Sequence, residues 1–248
     1  MDITSTTVFL PGATSGIGLG LALRLQAAGS TVIIGGRRRE LLDRLTEEHP
    51  GLVGVEIDTT DPASIERAAA EVLAAHPSLD AVIAMAGIMQ PEDLRDPGFL
   101  ELAERTVATN LLGPIRLAAA FVPHLLTRPA STFMTVSSGL AFVPLPATPT
   151  YSATKAATHA FTESMRVQLA GTSVQVVELV PPAVGTTLMG LDQTDYAMPL
   201  EEFLDEVMSL LTAHPDAPEV LVGRVHWQRF ATAEGRYAEV LAAQSAAH

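Results

Sequence analysis

The chain has 248 residues, of which 48% are hydrophobic and 5% aromatic, and its mean hydropathy is +0.28. This composition excludes a disordered chain and favours one well-buried domain with an aliphatic core. The formal net charge of −13 argues against nucleic acid and anionic membrane surfaces as partners.

The sequence has no cysteine, which excludes disulfides, thiolate metal sites and cysteine nucleophiles. No apolar run approaches the roughly 18 residues that a membrane span needs. The chain begins Met-Asp-Ile-Thr, without the basic and apolar regions of a signal peptide, so we expect a cytoplasmic protein. The seven histidines lack metal-ligand spacing, and we predict no metal site.

Short apolar segments alternate with helical patterns from the N-terminus to about residue 180. The predicted strands are Thr7–Leu10, Thr31–Gly35, Leu52–Ile57, Ala81–Met85, Thr132–Val136 and Val174–Leu179. Because their apolar residues are nearly continuous, these strands should be buried on both faces. We therefore predict an α/β fold, a doubly wound parallel sheet with helices on both faces.

No linker, repeat or low-complexity tract divides the chain, so we predict a single domain over residues 1–248. Ligands of such a fold lie beyond the carboxyl ends of the strands. Residues from about 186 to 212 are predicted to form a lid over the substrate, and residues 213–248 a divergent C-terminal segment of the same domain.

A glycine-rich turn joins the first strand to the first helix, in the sequence Gly12-Ala13-Thr14-Ser15-Gly16-Ile17-Gly18. Glycines allow the tight turn and let the backbone approach a pyrophosphate, which rests on the helix N-terminus. Glycine turns between strand and helix are frequent, but this one follows the first strand of a βαβ unit. It predicts a Rossmann-type dinucleotide site with contacts from Gly12, Thr14, Ser15, Gly16, Ile17 and Gly18.

The second predicted strand is followed by Gly36, Arg37, Arg38 and Arg39. An NAD-binding protein usually has a carboxylate here for the ribose 2′-hydroxyl, whereas a guanidinium suits a 2′-phosphate. Arg37 and Arg38 therefore predict NADP(H) as the preferred cofactor, with NAD(H) used less efficiently. Arg38 and Arg39 fit equally well at the start of a solvated helix. Asp58, after the third strand, either accepts from the adenine amino group or caps the next turn.

Three polar residues after the fifth predicted strand form a candidate catalytic set. Tyr151 and Lys155 are four residues apart, which places them on one face of a helix. A nearby ammonium favours the phenolate, so we expect Lys155 to lower the pKa of Tyr151. Ser138 is positioned to hold a carbonyl oxygen that Tyr151 protonates. The spacing Tyr-x-x-x-Lys is a weak motif alone, but Lys155 is the only lysine among 15 basic residues, which makes a chance match less frequent.

The glycine turn and Tyr151-x-x-x-Lys155 resemble the motifs of the classical short-chain dehydrogenase/reductase family, over residues 5 to about 190. Within it, the chain is similar to the DltE-like oxidoreductases. The resemblance implies Tyr151 as acid/base, Ser138 as carbonyl anchor, and Lys155 as ribose holder and tyrosine activator. It implies a water-linked proton relay through Asn110, which alone would read as a helix-interior hydrogen bond. Further implied cofactor contacts are Ala86, Gly87, Pro181, Val184 and Thr186.

The chain also departs from the family pattern. Pro11 stands for the usual threonine of the glycine motif, and Ala84 and Met85 replace two asparagines. Residues 213–248 do not match the common family ending, which puts tetramer contacts in doubt. The resemblance implies a homodimer through the helices that begin near Phe99 and Tyr151.

We expect the substrate to be a small, apolar ketone, aldehyde or secondary alcohol, with an apolar wall at Phe142, Val143 and Leu145. Met85, Met89, Met189 and Met198 either line this pocket or fill the core. The predicted function is an NADP(H)-dependent oxidoreductase, a carbonyl reductase (ketoreductase) or alcohol dehydrogenase. A non-catalytic NADP(H)-binding sensor is the alternative, and a lyase or epimerase the third reading. We expect His159 to serve packing or an interface.

Overall fold

A computed structural model describes residue 1 and residues 3–246. Within them, seven parallel strands form one sheet in the order β3-β2-β1-β4-β5-β6-β7. The strands are β1 (Thr7–Pro11), β2 (Thr31–Gly36), β3 (Val53–Glu56), β4 (Ala81–Ala84), β5 (Ser131–Val136), β6 (Val174–Val180) and β7 (Glu219–Leu221). The predicted doubly wound parallel sheet is confirmed, and the six predicted strands differ from the observed ones by one residue or less at each end.

Helices cover both faces of the sheet and connect its parallel strands. They are α1 (Gly16–Ala27), α2 (Arg39–Glu48), α3 (Pro62–Ala75), α4 (Phe99–Val107), α5 (Gly113–Leu125), α6 (Pro149–Gln168), α7 (Leu200–Ala213), α8 (His226–Arg229) and α9 (Tyr237–Ala246). Side chains of α1, α2 and α7 bury one face of the sheet, and those of α3, α5 and α6 bury the other. None of the helices in the described residues has the length and apolarity to cross a membrane.

The core is mainly aliphatic, as the composition predicts, with a few buried phenylalanines, and lies in two layers. Val8, Leu10 and Ile34 are fully buried on the side of α1, while Phe9 and Ile33 are fully buried on the opposite side. Because successive side chains of a strand point to opposite faces, both sets must be apolar in a sheet covered on both sides. This explains the nearly continuous apolar runs.

The predicted lid is too long. Residues from Leu200 onward form α7, which packs against α1 and buries Phe203, Leu204 and Val207 in the core. Backbone hydrogen bonds between Met198 and both Ala183 and Gly185 close the shorter loop that precedes α7. A lid therefore stays a prediction for residues 186–199, which precede this helix.

The C-terminal segment adds a strand that the sequence does not reveal. β7 is three residues long, lies at the edge of the sheet and buries only Val220. Such a short strand carries almost no periodic signal. The last two residues of the predicted segment, 247–248, lie outside the described residues.

Candidate active site

A cavity of about 1430 Å³ lies at the carboxyl ends of the strands. It is lined by nearly all the predicted site residues: Gly12, Thr14, Ser15, Gly16, Ile17, Gly18, Arg37, Arg38, Asp58, Ala86, Gly87, Ser138, Tyr151, Lys155, Pro181, Val184 and Thr186. Among the predicted residues, Asn110 does not line the cavity. The topology explains this convergence, because parallel strands present their carboxyl ends at one edge of the sheet.

The glycine turn forms a close backbone cradle at one end of the cavity. Gly12 has a φ of +94°, and a methyl group there would lie 2.5 Å from the backbone of Ala86. A methyl group at Gly18 would lie 2.5 Å from the carbonyl oxygen of Gly12. α1 begins at Gly16, so unpaired backbone N–H groups of its first turn lie at this cradle. The surface therefore fits the pyrophosphate of a dinucleotide.

Arg37 and Arg38 lie at the same end, where β2 stops, and both side chains are exposed. Neither forms an ion pair within the described residues, whereas Arg39 binds Asp43 at 2.9 Å on the surface of α2. Asp58 accepts hydrogen bonds from the backbone N–H and the hydroxyl of Thr60, at 2.9 and 2.7 Å. Of the two roles considered for Asp58, the structure shows the turn cap, and the carboxylate still lines the cavity.

Ser138, Tyr151 and Lys155 meet where β5 ends and α6 passes over it. The Lys155 ammonium donates to the carbonyl oxygen of Val136 at 2.8 Å and lies 5.5 Å from the centre of the Tyr151 ring. The Ser138 side chain is close enough to the Tyr151 hydroxyl to lower the pKa of that group. All three residues are buried, with exposed fractions of 7%, 9% and 6%. One turn of helix thus places a phenol and an ammonium beside a serine hydroxyl.

Burial controls the ionisation of this set. It raises the pKa of Tyr151 to about 12, against a smaller lowering by Ser138. It lowers the pKa of Lys155 to about 8, against a smaller raising by the negative charge of Glu178. The expectation of a lowered Tyr151 pKa is therefore wrong, because desolvation by burial outweighs the lowering by Ser138. At neutral pH Tyr151 carries its proton and Lys155 its charge.

Asn110 lies in a π-helical turn, Ala108–Leu112, between α4 and α5. Its side chain is almost fully buried, accepts from the backbone N–H of Ile88 and donates to the Ile88 carbonyl oxygen, both at 2.8 Å. The backbone carbonyl oxygen of Asn110 accepts a hydrogen bond from the Thr158 hydroxyl on α6 at 3.3 Å. The residue therefore ties the loop after β4 to α6. π-turns of this kind are frequent at functional sites.

Pro181, Val184 and Thr186 follow β6 and form the wall next to the glycine cradle. The Thr186 side chain would lie 3.4 Å from a methyl group at Gly16. Val184 is buried and pairs with Met198 through a β-bridge. This segment therefore forms the part of the cavity wall that follows β6.

The other end of the cavity is lined by apolar side chains and by the C-terminal segment, and the sequence predicted this wall only in part. Leu145 lines the cavity, but Phe142 packs against His159 and Arg229, and Val143 is buried against Ala231 and Val240. Met85 and Met89 line the cavity, whereas Met198 is a core residue and Met189 lies at a neighbouring surface pocket. Side chains missed by the sequence reasoning line this end as well: Arg224, Trp227, Gln228, Ala243 and Gln244.

The sequence reasoning also missed a charge network between α6 and the last two strands of the sheet. Glu178 on β6 is fully buried and accepts from Nδ1 of His159 at 2.8 Å. Glu219 lies next to it on β7 and binds the guanidinium of Arg229 through both oxygens, at 3.0–3.3 Å. One oxygen of each carboxylate and one nitrogen of His159 lie within 4.8 Å of one another. In the sequence, the one sign of this network is a glutamate, Glu178, inside the mostly apolar segment 174–180.

The chain belongs to the short-chain dehydrogenase family, a family of oxidoreductases. The family model described as short chain dehydrogenase matches residues 6–197, which is more than three quarters of the chain. The match ends before α7 and the C-terminal segment.

The relatives agree with this assignment. The chain is 38% identical over 191 residues to the uncharacterized oxidoreductase DltE of Bacillus subtilis (strain 168), covering 76% of this chain and 75% of that protein. It is 29% identical over 245 residues to the sulfoacetaldehyde reductase of Chromohalobacter salexigens, covering 90% and 96%. A short-chain dehydrogenase from Burkholderia cenocepacia J2315, solved in complex with NADP, superposes with a TM-score of 0.81 at 29% identity, covering 98% of both chains.

Proposed function

We propose that the protein is an NADP(H)-dependent carbonyl reductase or alcohol dehydrogenase. The observation that carries the proposal is the convergence of Ser138, Tyr151 and Lys155 in the same cavity as the glycine cradle. A phenol, an ammonium and a hydroxyl beside a dinucleotide site are the groups that hydride transfer to a carbonyl requires from the protein.

The cofactor would lie along the strand ends, with its pyrophosphate at the glycine cradle and α1. Arg37 and Arg38 would hold the 2′-phosphate, since neither is neutralised within the described residues. The segment with Pro181, Val184 and Thr186 would hold the carboxamide, and Ala86 and Gly87 allow close approach. The solved NADP complex of a relative that spans the whole chain supports this assignment. When bound, the reduced nicotinamide supplies the hydride.

In the reductive direction Tyr151 donates its proton to the carbonyl oxygen, which also accepts a hydrogen bond from Ser138. The high pKa of Tyr151 keeps that proton available at neutral pH. Lys155 stabilises the phenolate that this step leaves and holds the ribose hydroxyls. Asn110 orders the loop and helix around the site, and we assign to it the relay that returns a proton to Tyr151 through water.

The test is NADPH consumption with a panel of aliphatic, aromatic and keto-ester carbonyls. We expect turnover by the wild-type protein and a loss of about 10²–10⁴-fold in Tyr151→Phe, which keeps the ring and removes the proton. Tyr237→Phe is the matched control, because Tyr237 is 39% exposed on α9 and does not line the cavity. NADPH binding without turnover of any carbonyl would contradict the proposal and favour an NADP(H)-binding sensor.

A further inference from the structure

The C-terminal segment forms one side of the active-site cavity. After β7 the chain makes a turn, Gly223–Val225, and enters α8. A methyl group at Gly139 would lie 2.0 Å from Oε1 of Gln228 and 3.0 Å from a methyl of Val225. Gly139 directly follows Ser138, so the segment packs next to the proposed carbonyl anchor.

Side-chain bonds fix this wall in place. Gln228 donates to Gln244 at 2.7 Å, and Gln244 donates to the carbonyl oxygens of Val143 and Pro144, both at 3.1 Å. Arg229 binds both oxygens of Glu219 and lies 4.6 Å from the centre of the Phe142 ring. The residues that face the cavity from this segment are therefore held by buried and paired neighbours.

Arg224 is the charged residue of this wall. Its guanidinium donates to the carbonyl oxygen of Tyr196 at 3.3 Å, and it forms no ion pair with a described carboxylate. Glu206, which contacts the same turn, accepts from the backbone N–H of Gly223 at 2.6 Å. Although the protein has a net charge of −13, this guanidinium at the substrate end has no ion pair in the described part of the chain. Arg37 and Arg38 lie at the opposite end, by the glycine cradle.

We propose that Arg224 binds an anionic group of the substrate, so that the preferred substrates are oxo-acids or the corresponding hydroxy-acids. This inference rests on the proposed function. The carbonyl would lie at Ser138 and Tyr151, a carboxylate or sulfonate at Arg224, and an apolar body between them along Leu140 and Trp227. The guanidinium fork matches such an oxyanion and leaves further donors for it beside the Tyr196 carbonyl. In reduction the carbonyl carbon gains a hydride and its oxygen a proton, while the nicotinamide is oxidised and the acid group is unchanged.

Trp227 provides a direct binding signal. It is the only tryptophan of the sequence, is 41% exposed and lines the cavity three residues from Arg224. We would titrate the full chain, with NADP⁺ present, against oxo-acids of increasing length and against their methyl esters, at fixed ionic strength. We expect the best acid to bind about 10- to 100-fold more tightly than its ester. The affinity of the Arg224→Gln protein for the acid should be lower than that of the wild type by about the same factor.

Arg236→Gln is the matched control, because Arg236 is in the same segment, pairs with Glu234 and does not line the cavity. The Arg236→Gln protein should have the same ratio of acid affinity to ester affinity as the wild type. Equal affinities for acid and ester, or an Arg224→Gln protein that keeps the ratio, would overturn the inference.

The kcat/KM values for the same pairs separate this inference from the proposed function. Turnover of esters and acids with equal kcat/KM would overturn the role of Arg224 and leave the oxidoreductase intact. Binding of acids that depends on Arg224, without turnover of any carbonyl, would support the anion site and overturn the proposed reaction.

Discussion

The buried carboxylate of Glu178 accepts a hydrogen bond from Nδ1 of His159 at 2.8 Å, one helical turn beyond Lys155. This bond raises the pKa of His159, while the charge of Glu178 also raises the pKa of Lys155 against the effect of burial. Glu178 thus lies between the charge network of His159, Glu219 and Arg229 and the lysine of the proposed active site. A buried charge is costly unless it is paired, and one oxygen of this carboxylate is paired to α6 through His159.

The link predicts a pH dependence. The pKa of Lys155 is lowered to about 8, so its charged form is lost as the pH rises through that value. We expect kcat/KM for carbonyl reduction to fall above about pH 8. Glu178→Gln removes the charge that raises the pKa of Lys155, so the fall should move to lower pH. The measurement is the pH profile of kcat/KM for both proteins.

Glu163→Gln is the control for that profile. Glu163 is on the same helix and contacts His159 at 3.7 Å, but it is exposed and does not perturb the pKa of Lys155. Its profile should match the wild type. If the Glu178→Gln protein is folded and its kcat/KM falls at the same pH as that of the wild type, the buried carboxylate does not act on Lys155.

Arg37 should determine the choice of cofactor. A charge-assisted contact to the 2′-phosphate contributes about 1.5–3 kcal/mol, so kcat/KM with NADPH should exceed that with NADH by about 10- to 100-fold. Arg37→Ala should remove most of this preference by lowering the NADPH value. Arg39→Ala should not, because Arg39 is paired with Asp43 outside the cavity. Equal kcat/KM values of the wild-type protein with NADPH and NADH would contradict this role of Arg37.

Gly12 should tolerate a side chain worse than Gly171, a glycine that also has a positive φ but stands in open space. Gly12→Ala and Gly171→Ala both force a methyl group onto a backbone with positive φ, at +94° and +79°. A methyl group at Gly171 meets nothing within 4 Å, whereas at Gly12 it would lie 2.5 Å from Ala86. Overpacking should therefore cost Gly12→Ala about 1–3 kcal/mol more in unfolding free energy, measured in urea. Equal losses would mean that the turn can relax around the added methyl.

Much of the fold was predictable because its strands are buried on both faces, as Val8 to Leu10 show. The convergence of Ser138, Tyr151 and Lys155 was predictable from helical spacing and strand order. The pKa of Tyr151 was not, since burial depends on packing from distant segments. Arg224 and Trp227 reach the cavity through a short strand and turn that leave no periodic pattern. Glu178 was visible as one acid in an apolar run, but its partner His159 is 19 residues away along the chain.

The outer face of α6 predicts a homodimer. Ala153, Ala156 and Ala160 are exposed there, and Val167 further along is 77% exposed. Small apolar side chains allow two helices to pack closely across a two-fold axis. Light scattering at micromolar concentration should show twice the 26.1 kDa chain mass, and Ala156→Glu should shift it to the monomer. The control is Ala70→Glu, on the exposed side of α3. A wild-type mass of 26.1 kDa would contradict the predicted dimer.

The most direct test of the central claim is the exchange of Lys155 for arginine. The substitution keeps the positive charge, but a guanidinium is larger and planar, and it replaces an ammonium that is buried and bound to the Val136 carbonyl oxygen. The reverse exchange, Arg166→Lys on the same helix, is the control, because Arg166 only donates to backbone carbonyl oxygens outside the cavity.

The measurement is kcat for carbonyl reduction in both variants, with circular dichroism and Tm to establish that each is folded. We expect Lys155→Arg to lose at least about 100-fold in kcat and Arg166→Lys to remain close to the wild type. A folded Lys155→Arg protein that keeps more than half of the wild-type kcat would contradict the proposed mechanism.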